Sequence, residues 1–180
     1  MCGIAGFSLF NHQEGNEASL HAMHEAIVHR GPDASGTYLD DYVGLCHRRL
    51  SILDLSEAGN QPMYSADNNL VIVFNGEIYN FLELRADLEQ QGVNFKSHTD
   101  TEVILELYAR EGVKCLDKLN GMFAFALWDK TKQELFIARD RLGKKPLYYF
   151  SDKGRFAFGS EIKAILALQD IPREIRLDAV

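Results

Sequence analysis

Met122-Phe123-Ala124-Phe125-Ala126-Leu127-Trp128 is apolar at every position. After Asp129 comes the polar link Lys130-Thr131-Lys132-Gln133, and then a second strand-like run at residues 134–139. A link this short makes the two runs antiparallel neighbours. Antiparallel strands usually keep one wet face and alternate apolar with polar residues, yet the first run does not alternate, so both of its faces should be buried. An antiparallel strand covered on both sides requires two stacked sheets, each with helices on its outer surface. The fold class expected is α+β, a four-layer αββα sandwich of two antiparallel sheets covered by helices.

Working outward, residues 3–10, 36–39, 43–50, 70–74, 147–150 and 155–159 also read as strands, most of them rich in aromatic or β-branched residues. Ser151-Asp152-Lys153-Gly154 supplies a second hairpin link. Helical spacing places Leu20, Met23 and Ile27 on a helix over 19–30, stopped by Gly31-Pro32. Phe81, Leu84 and Leu88 mark another over 81–91, opened by Asn80 with Glu83 three residues on and closed by Gly92. A third covers 101–111, where Val103, Ile104, Leu107 and Tyr108 make one stripe before Gly112. Residues 161–168 are a fourth candidate. No repeat or linker interrupts the pattern, so residues 1–180 read as one domain. Leu177-Asp178-Ala179-Val180 ends abruptly, and the chain is expected to be a fragment.

A chain of 180 residues, 46% hydrophobic, can bury a substantial core. The net charge of −7 and pI near 5.3 offer no general attraction for phosphate backbones or anionic membranes, which argues against nucleic acid and membrane partners. Cys2, Cys46 and Cys115 are odd in number and widely separated, with only His47 beside Cys46, so neither a disulfide framework nor a metal site is expected. A reducing cytoplasm fits this usage. The apolar first ten residues lack a basic flank, and no later run reaches membrane-spanning length.

Met1-Cys2-Gly3-Ile4-Ala5-Gly6-Phe7 opens the chain, and removing Met1 would leave one residue bearing both a thiol and a free α-amine. An α-amine has a reference pKa of about 7.7–8.0, so it can accept a proton at neutral pH and serve as base to the thiol nucleophile. Taken alone, Cys2 is equally a small buried hydrophobe.

Four more segments are too specific for core or surface: His29-Arg30-Gly31-Pro32-Asp33, Arg48-Arg49-Leu50-Ser51-Ile52, Phe74-Asn75-Gly76-Glu77-Ile78-Tyr79-Asn80, and Thr99-Asp100-Thr101-Glu102. With Cys2-Gly3-Ile4, they resemble the class II glutamine amidotransferase domain of the asparagine synthetase family, which belongs to the N-terminal nucleophile hydrolases. The resemblance continues through Gly121–Asp129, Arg139-Asp140-Arg141-Leu142-Gly143-Lys144-Lys145-Pro146-Leu147-Tyr148 and Ser160-Glu161-Ile162-Lys163-Ala164, covering nearly the whole chain.

The resemblance implies catalysis by Cys2, with Asn75 and Gly76 forming the oxyanion hole. It implies a glutamine pocket made by Arg49, Leu50, Ser51, Ile52, Leu53, Asn75, Gly76, Glu77 and Asp100. The chemistry of these residues agrees. A guanidinium can hold a carboxylate bidentately, which suits Arg49 to the α-carboxylate, and Asp100 suits the α-ammonium. Asp100 is also placed to cap a helix near Thr101, although Thr99 and Glu102 make a capping box without it. Asn-Gly ordinarily signals a hairpin turn, but a helix start follows here. A side-chain amide and a glycine N–H can instead stabilise an oxyanion. His29 and Arg30 lie at a helix end, where cations favour the dipole, and that structural role is as good as a catalytic one. Arg139, Arg141, Lys144 and Lys145 form a basic cluster, read as a solvated loop or a contact with another domain.

In full-length members of the family, a C-terminal synthetase domain uses ATP and magnesium to activate a carboxylate acceptor. This piece has no Ser-Gly-Gly-x-Asp-Ser loop, and Gly3-Ile4-Ala5-Gly6 is too short for a dinucleotide motif, so no cofactor is expected in it. Glutamine and the synthetase domain are the expected partners, with a homodimer allowed. The alternatives are a non-catalytic regulatory domain and a glutaminase half serving an acceptor other than aspartate.

Overall fold

Within residues 123–127 large and small side chains alternate, and the strand's period of two sorts its side chains into two layers. Phe123, Phe125 and Leu127 join a core packed beneath helices, while Ala124, Ala126 and Trp128 join a separate core between the sheets. The computed structural model describes residues 1–8, 16–152, 154–169 and 171–174. Among these, the strands are β1 (Gly3–Ser8), β2 (Ala34–Leu39), β3 (Val43–Arg49), β4 (Met63–Tyr64), β5 (Leu70–Ile78), β6 (Gly121–Asp129), β7 (Glu134–Arg139), β8 (Tyr148–Asp152) and β9 (Arg155–Gly159). One sheet has the order β2-β3-β1-β9-β8 and the other β4-β5-β6-β7, with antiparallel neighbours throughout.

Helices α1 (Asn16–Ala26) and α4 (Ile162–Leu166) cover the outer face of the five-stranded sheet through Leu20, Met23, Ala164 and Ile165. Helices α2 (Phe81–Gln90) and α3 (Asp100–Glu111) cover the four-stranded sheet through Leu84, Leu88, Val103, Ile104 and Leu107. Between the sheets lie Ile4, Val43, Leu45, Val71, Val73 and Phe158 with the inner residues of β6. The expected four-layer sandwich is therefore the observed one. The predicted hairpin at residues 130–133 joins β6 to β7, with Gln133 at φ 54 closing the turn.

Local boundaries differ where polar groups compete. The first helix ends at Ala26, and Val28–Arg30 form a separate 3-10 turn. Asn80 does not cap α2; its side chain accepts from Asn120 N–H and donates to the Lys118 carbonyl, tying the helix start to the approach to β6. Only half of the expected capping box forms on α3. Thr99 Oγ1 accepts from Glu102 N–H at 3.2 Å, whereas the Glu102 carboxylate turns back to Lys96 and Ser97 N–H. Strand β5 runs four residues past the expected end, through Asn75-Gly76-Glu77-Ile78, so Asn-Gly makes no turn. Residues 9–10 of the first predicted strand, residues 11–14, Lys153 and residues 177–180 lie outside the described residues. No helix among the described residues is long and apolar enough to cross a membrane.

Candidate active site

Side chains alternate across a strand, so the sheet interface also determines what meets at its end. Cys2 precedes β1 and continues the parity of Ile4, which faces the other sheet. On β3, His47 and Arg49 follow the inward residues Val43 and Leu45; on β5, Asn75 follows Val71 and Val73. Three strands thus bring Cys2, Arg49 and Asn75 to one end of the inter-sheet layer. All the expected site residues except Ser51 line a single cleft there, together with Met1. Ser51 N–H instead donates to the Asp33 carboxylate at 2.7 Å.

Cys2 is held on both sides. Leu50 N–H donates to its sulfur at 3.4 Å, and the thiol faces the Leu50 carbonyl at 3.5 Å. Arg30 Nε donates to the Cys2 carbonyl at 2.9 Å, while its other arm meets Glu161 at 2.9 Å. Arg30 therefore fixes the Cys2 backbone, a role the chain position at a helix end did not reveal. Burial alone would raise the Glu161 pKa, but hydrogen bonds from Arg30, His29 and Lys163 hold it at about 2, so the anchor is anionic.

Asn75 is 1% exposed, and its Nδ2 has no hydrogen-bond partner among the described residues. A buried amide donor left unpaired costs about 1–3 kcal/mol, which a developing oxyanion would recover. Gly76 stands opposite Phe123, whose N–H and carbonyl both bond to Asp140 on the far side of β6. Directly opposed antiparallel residues face each other or both face away, so Gly76 N–H points to the outer edge of β5. Along that edge Phe74 N–H is taken by Gln61 Oε1 at 2.6 Å and Ile78 N–H by Asp100 Oδ2 at 2.9 Å. Gly76 N–H lies between them. A Cβ on Gly76 would collide with the Met122 carbonyl and with Phe123.

Arg49 is only 5% exposed, and its guanidinium is engaged by the loop that follows β3. It donates to Ser56 O at 2.9 Å, Asn60 Oδ1 at 2.8 Å, Leu53 O at 3.2 Å and Asp54 O. Those bonds use both hydrogens on each terminal nitrogen, leaving the one on Nε. Ile52 in the same loop is 73% exposed. Asp100, 4% exposed, is the first residue of α3; burial raises its pKa to about 6, opposed by the Ile78 hydrogen bond and helped by Glu77.

Sequence reasoning passed over one lining residue, Gln61, and misplaced another, Lys145. Gln61 bridges Phe74 N–H to Thr101 Oγ1 and so sets α3 against β5, and no motif in the sequence marks it. Lys145 was read as part of a solvated basic loop, yet it is buried and lines the cleft.

The arrangement sets a thiol one residue from the chain start in the same cleft as a buried amide donor, and comparison gives the family. A family profile described as a glutamine amidotransferase domain matches residues 1–180, so the chain belongs to the class II glutamine amidotransferase domain family. The glutamine-hydrolyzing asparagine synthetase 3 of Bacillus subtilis is 44% identical over 179 residues, covering 97% of this chain and 29% of that protein. The glutamine-hydrolyzing asparagine synthetase B of Escherichia coli is 47% identical over 139 residues, covering 77% and 25%. The chain thus spans less than a third of either relative. Its fold is shared with the Bacillus subtilis glutamine phosphoribosylpyrophosphate amidotransferase solved with ADP and GMP, at TM-score 0.77 and 24% identity over 92% of this chain and 43% of that one.

Proposed function

We propose that this domain hydrolyses the side-chain amide of glutamine through a γ-glutamyl thioester on Cys2. The observation that carries the reading is the buried, unpartnered Asn75 Nδ2 in the cleft with the Cys2 thiol. With Met1 removed, the α-amine of Cys2 takes the thiol proton as sulfur bonds to the amide carbon, and Asn75 Nδ2–H and Gly76 N–H receive the oxyanion. The ammonium of Cys2 then returns the proton to the departing nitrogen, the C–N bond breaks, and ammonia leaves. Water, deprotonated by the same amine, attacks the thioester, and glutamate departs as the thiol is restored. Asp100 and Glu77 receive the α-ammonium; Leu50, Ile52 and Leu53 wall the pocket; Arg49 offers its remaining N–H to the α-carboxylate.

The names of the two synthetase relatives support asparagine synthesis as the use of the ammonia; we propose aspartate as the acceptor, in a C-terminal synthetase domain that uses ATP and magnesium, within the cytoplasm. Hydrolysis as written requires no cofactor. The test is release of glutamate and ammonia from glutamine by protein whose intact mass shows Met1 removed. Cys2→Ala should abolish turnover and still bind glutamine, while retained turnover, or full activity with Met1 attached, would refute the scheme.

A further inference from the structure

Ser160-Glu161-Ile162-Lys163-Ala164 has no task in the reaction as written. The segment lies where β9 turns into α4, and its first two residues reach back to the start of β1. The ladder between β1 and β9 pairs Ala5 with Gly159. One step beyond, Ser160 N–H donates to the Ile4 carbonyl at 2.8 Å, and Ser160 Oγ accepts from Ile4 N–H at 3.0 Å. Both residues are fully buried, so Ser160 fixes the two polar groups of Ile4 just after Cys2-Gly3.

Glu161 reaches further, through Arg30. Its carboxylate accepts from Arg30 Nη1 at 2.9 Å, and Arg30 Nε donates to the Cys2 carbonyl at 2.9 Å. The Arg30 stem lies over Gly3, where a Cβ would come within 3.0 Å of Arg30 Cδ and 3.1 Å of its Cβ. The Arg30 side chain is only 9% exposed, and its Nη2 has no hydrogen-bond partner among the described residues. A guanidinium so desolvated depends on its counter-charge, and among the described residues Glu161 is the carboxylate that pairs with it. Without that carboxylate the guanidinium gains by turning toward water, which withdraws Nε from Cys2. His29 Nε2 and Lys163 Nζ, both half-exposed, hold the same carboxylate at 2.8 and 3.3 Å.

We propose that Glu161 is a positioning residue for the Cys2 nucleophile, acting through Arg30, while Ser160 fixes Ile4 beside it. This rests on the reading that Cys2 hydrolyses glutamine in the cleft. Neither Arg30 nor Glu161 lines that cleft, so the effect falls on turnover and not on glutamine binding. A displacement of about 1 Å at a reacting atom can cost about 10² in rate.

The test is steady-state kinetics on protein with Met1 removed, with the folded fraction counted by circular dichroism. Glu161→Ala should lower kcat about tenfold or more and leave KM for glutamine within about twofold. Glu161→Gln, which keeps an acceptor for Arg30, should recover most of the loss. Arg30→Ala should lose at least as much, and adding Glu161→Ala to it should cost nothing further, because the two act as one unit. Losses that multiply in the double variant, or an unchanged kcat in Glu161→Ala, overturn the positioning role and leave the hydrolase reading standing. If the unsubstituted protein releases no glutamate, the hydrolase reading itself fails, and the role of Glu161 falls with it.

Discussion

His47 Nε2 donates to the Phe74 carbonyl at 3.1 Å, joining the strand that leads to Arg49 and Leu50 to the strand that carries Asn75. The imidazole is fully buried, its Nδ1 has no partner among the described residues, and burial lowers its pKa to about 3. The folded state thus holds His47 neutral where the unfolded chain would protonate it. A lowered folded pKa gives stability that is complete above about pH 6.5 and lost as pH falls toward 3. The unfolding midpoint in urea should therefore decline between pH 7 and pH 4, and His47→Gln should flatten that decline. Equal pH slopes for both proteins would exclude His47 as the source.

Asn75→Ala should lower glutaminase kcat by about 10²–10³, or roughly 2.7–4 kcal/mol of transition-state stabilisation, while circular dichroism shows the fold retained. Glutamine KM should change far less. A mutant with ordinary turnover would remove Asn75 from the oxyanion hole.

Asp100 must be ionised to bind an ammonium, and its pKa in the free protein is about 6. Below that pH it is protonated, so kcat/KM should fall on the acid side with an apparent pKa near 6, through weaker binding. Asp100→Asn should have low kcat/KM and no such limb. For stability the sign is the reverse of that at His47. A raised carboxyl pKa disfavours the folded state as pH rises past about 4, so Asp100→Asn should be relatively more stable at pH 7 than at pH 4.

Arg49→Lys removes the fork that reaches Leu53, Asp54, Ser56 and Asn60, because an ammonium has three donors on one nitrogen. The expected loss is about 1–3 kcal/mol in denaturant unfolding. Proteolysis within residues 50–60 should also quicken. No change in either would mean that the loop is held by something else.

The layering was legible from one strand because burial on both faces leaves few architectures open. That Cys2, Asn75, Gly76 and Asp100 share one cleft was legible because together they matched a recurring set of motifs. What escaped was tertiary. The strand continued through Asn75-Gly76 because β6 supplied a pairing partner as far as Gly121, which outweighed local turn preference. Arg30 and Lys145 looked like surface cations, and only the packed fold shows one under the Cys2 carbonyl and the other inside the cleft. Arg49 looked free to fork onto a carboxylate, but four to eleven residues onward the chain returns to claim its terminal nitrogens.

Sheet edges are usually hazards, since their unpaired amides invite another chain to dock. On β5 the edge is plugged at Ile72 by β4, at Phe74 by a glutamine side chain, and at Ile78 by a carboxylate, and among the described residues the position between the last two is left open. The proposed catalytic donor is therefore a vacancy in an otherwise finished ladder. Extending β4 toward it would improve the sheet and silence the enzyme, so at this position stability and turnover compete for the same hydrogen atom.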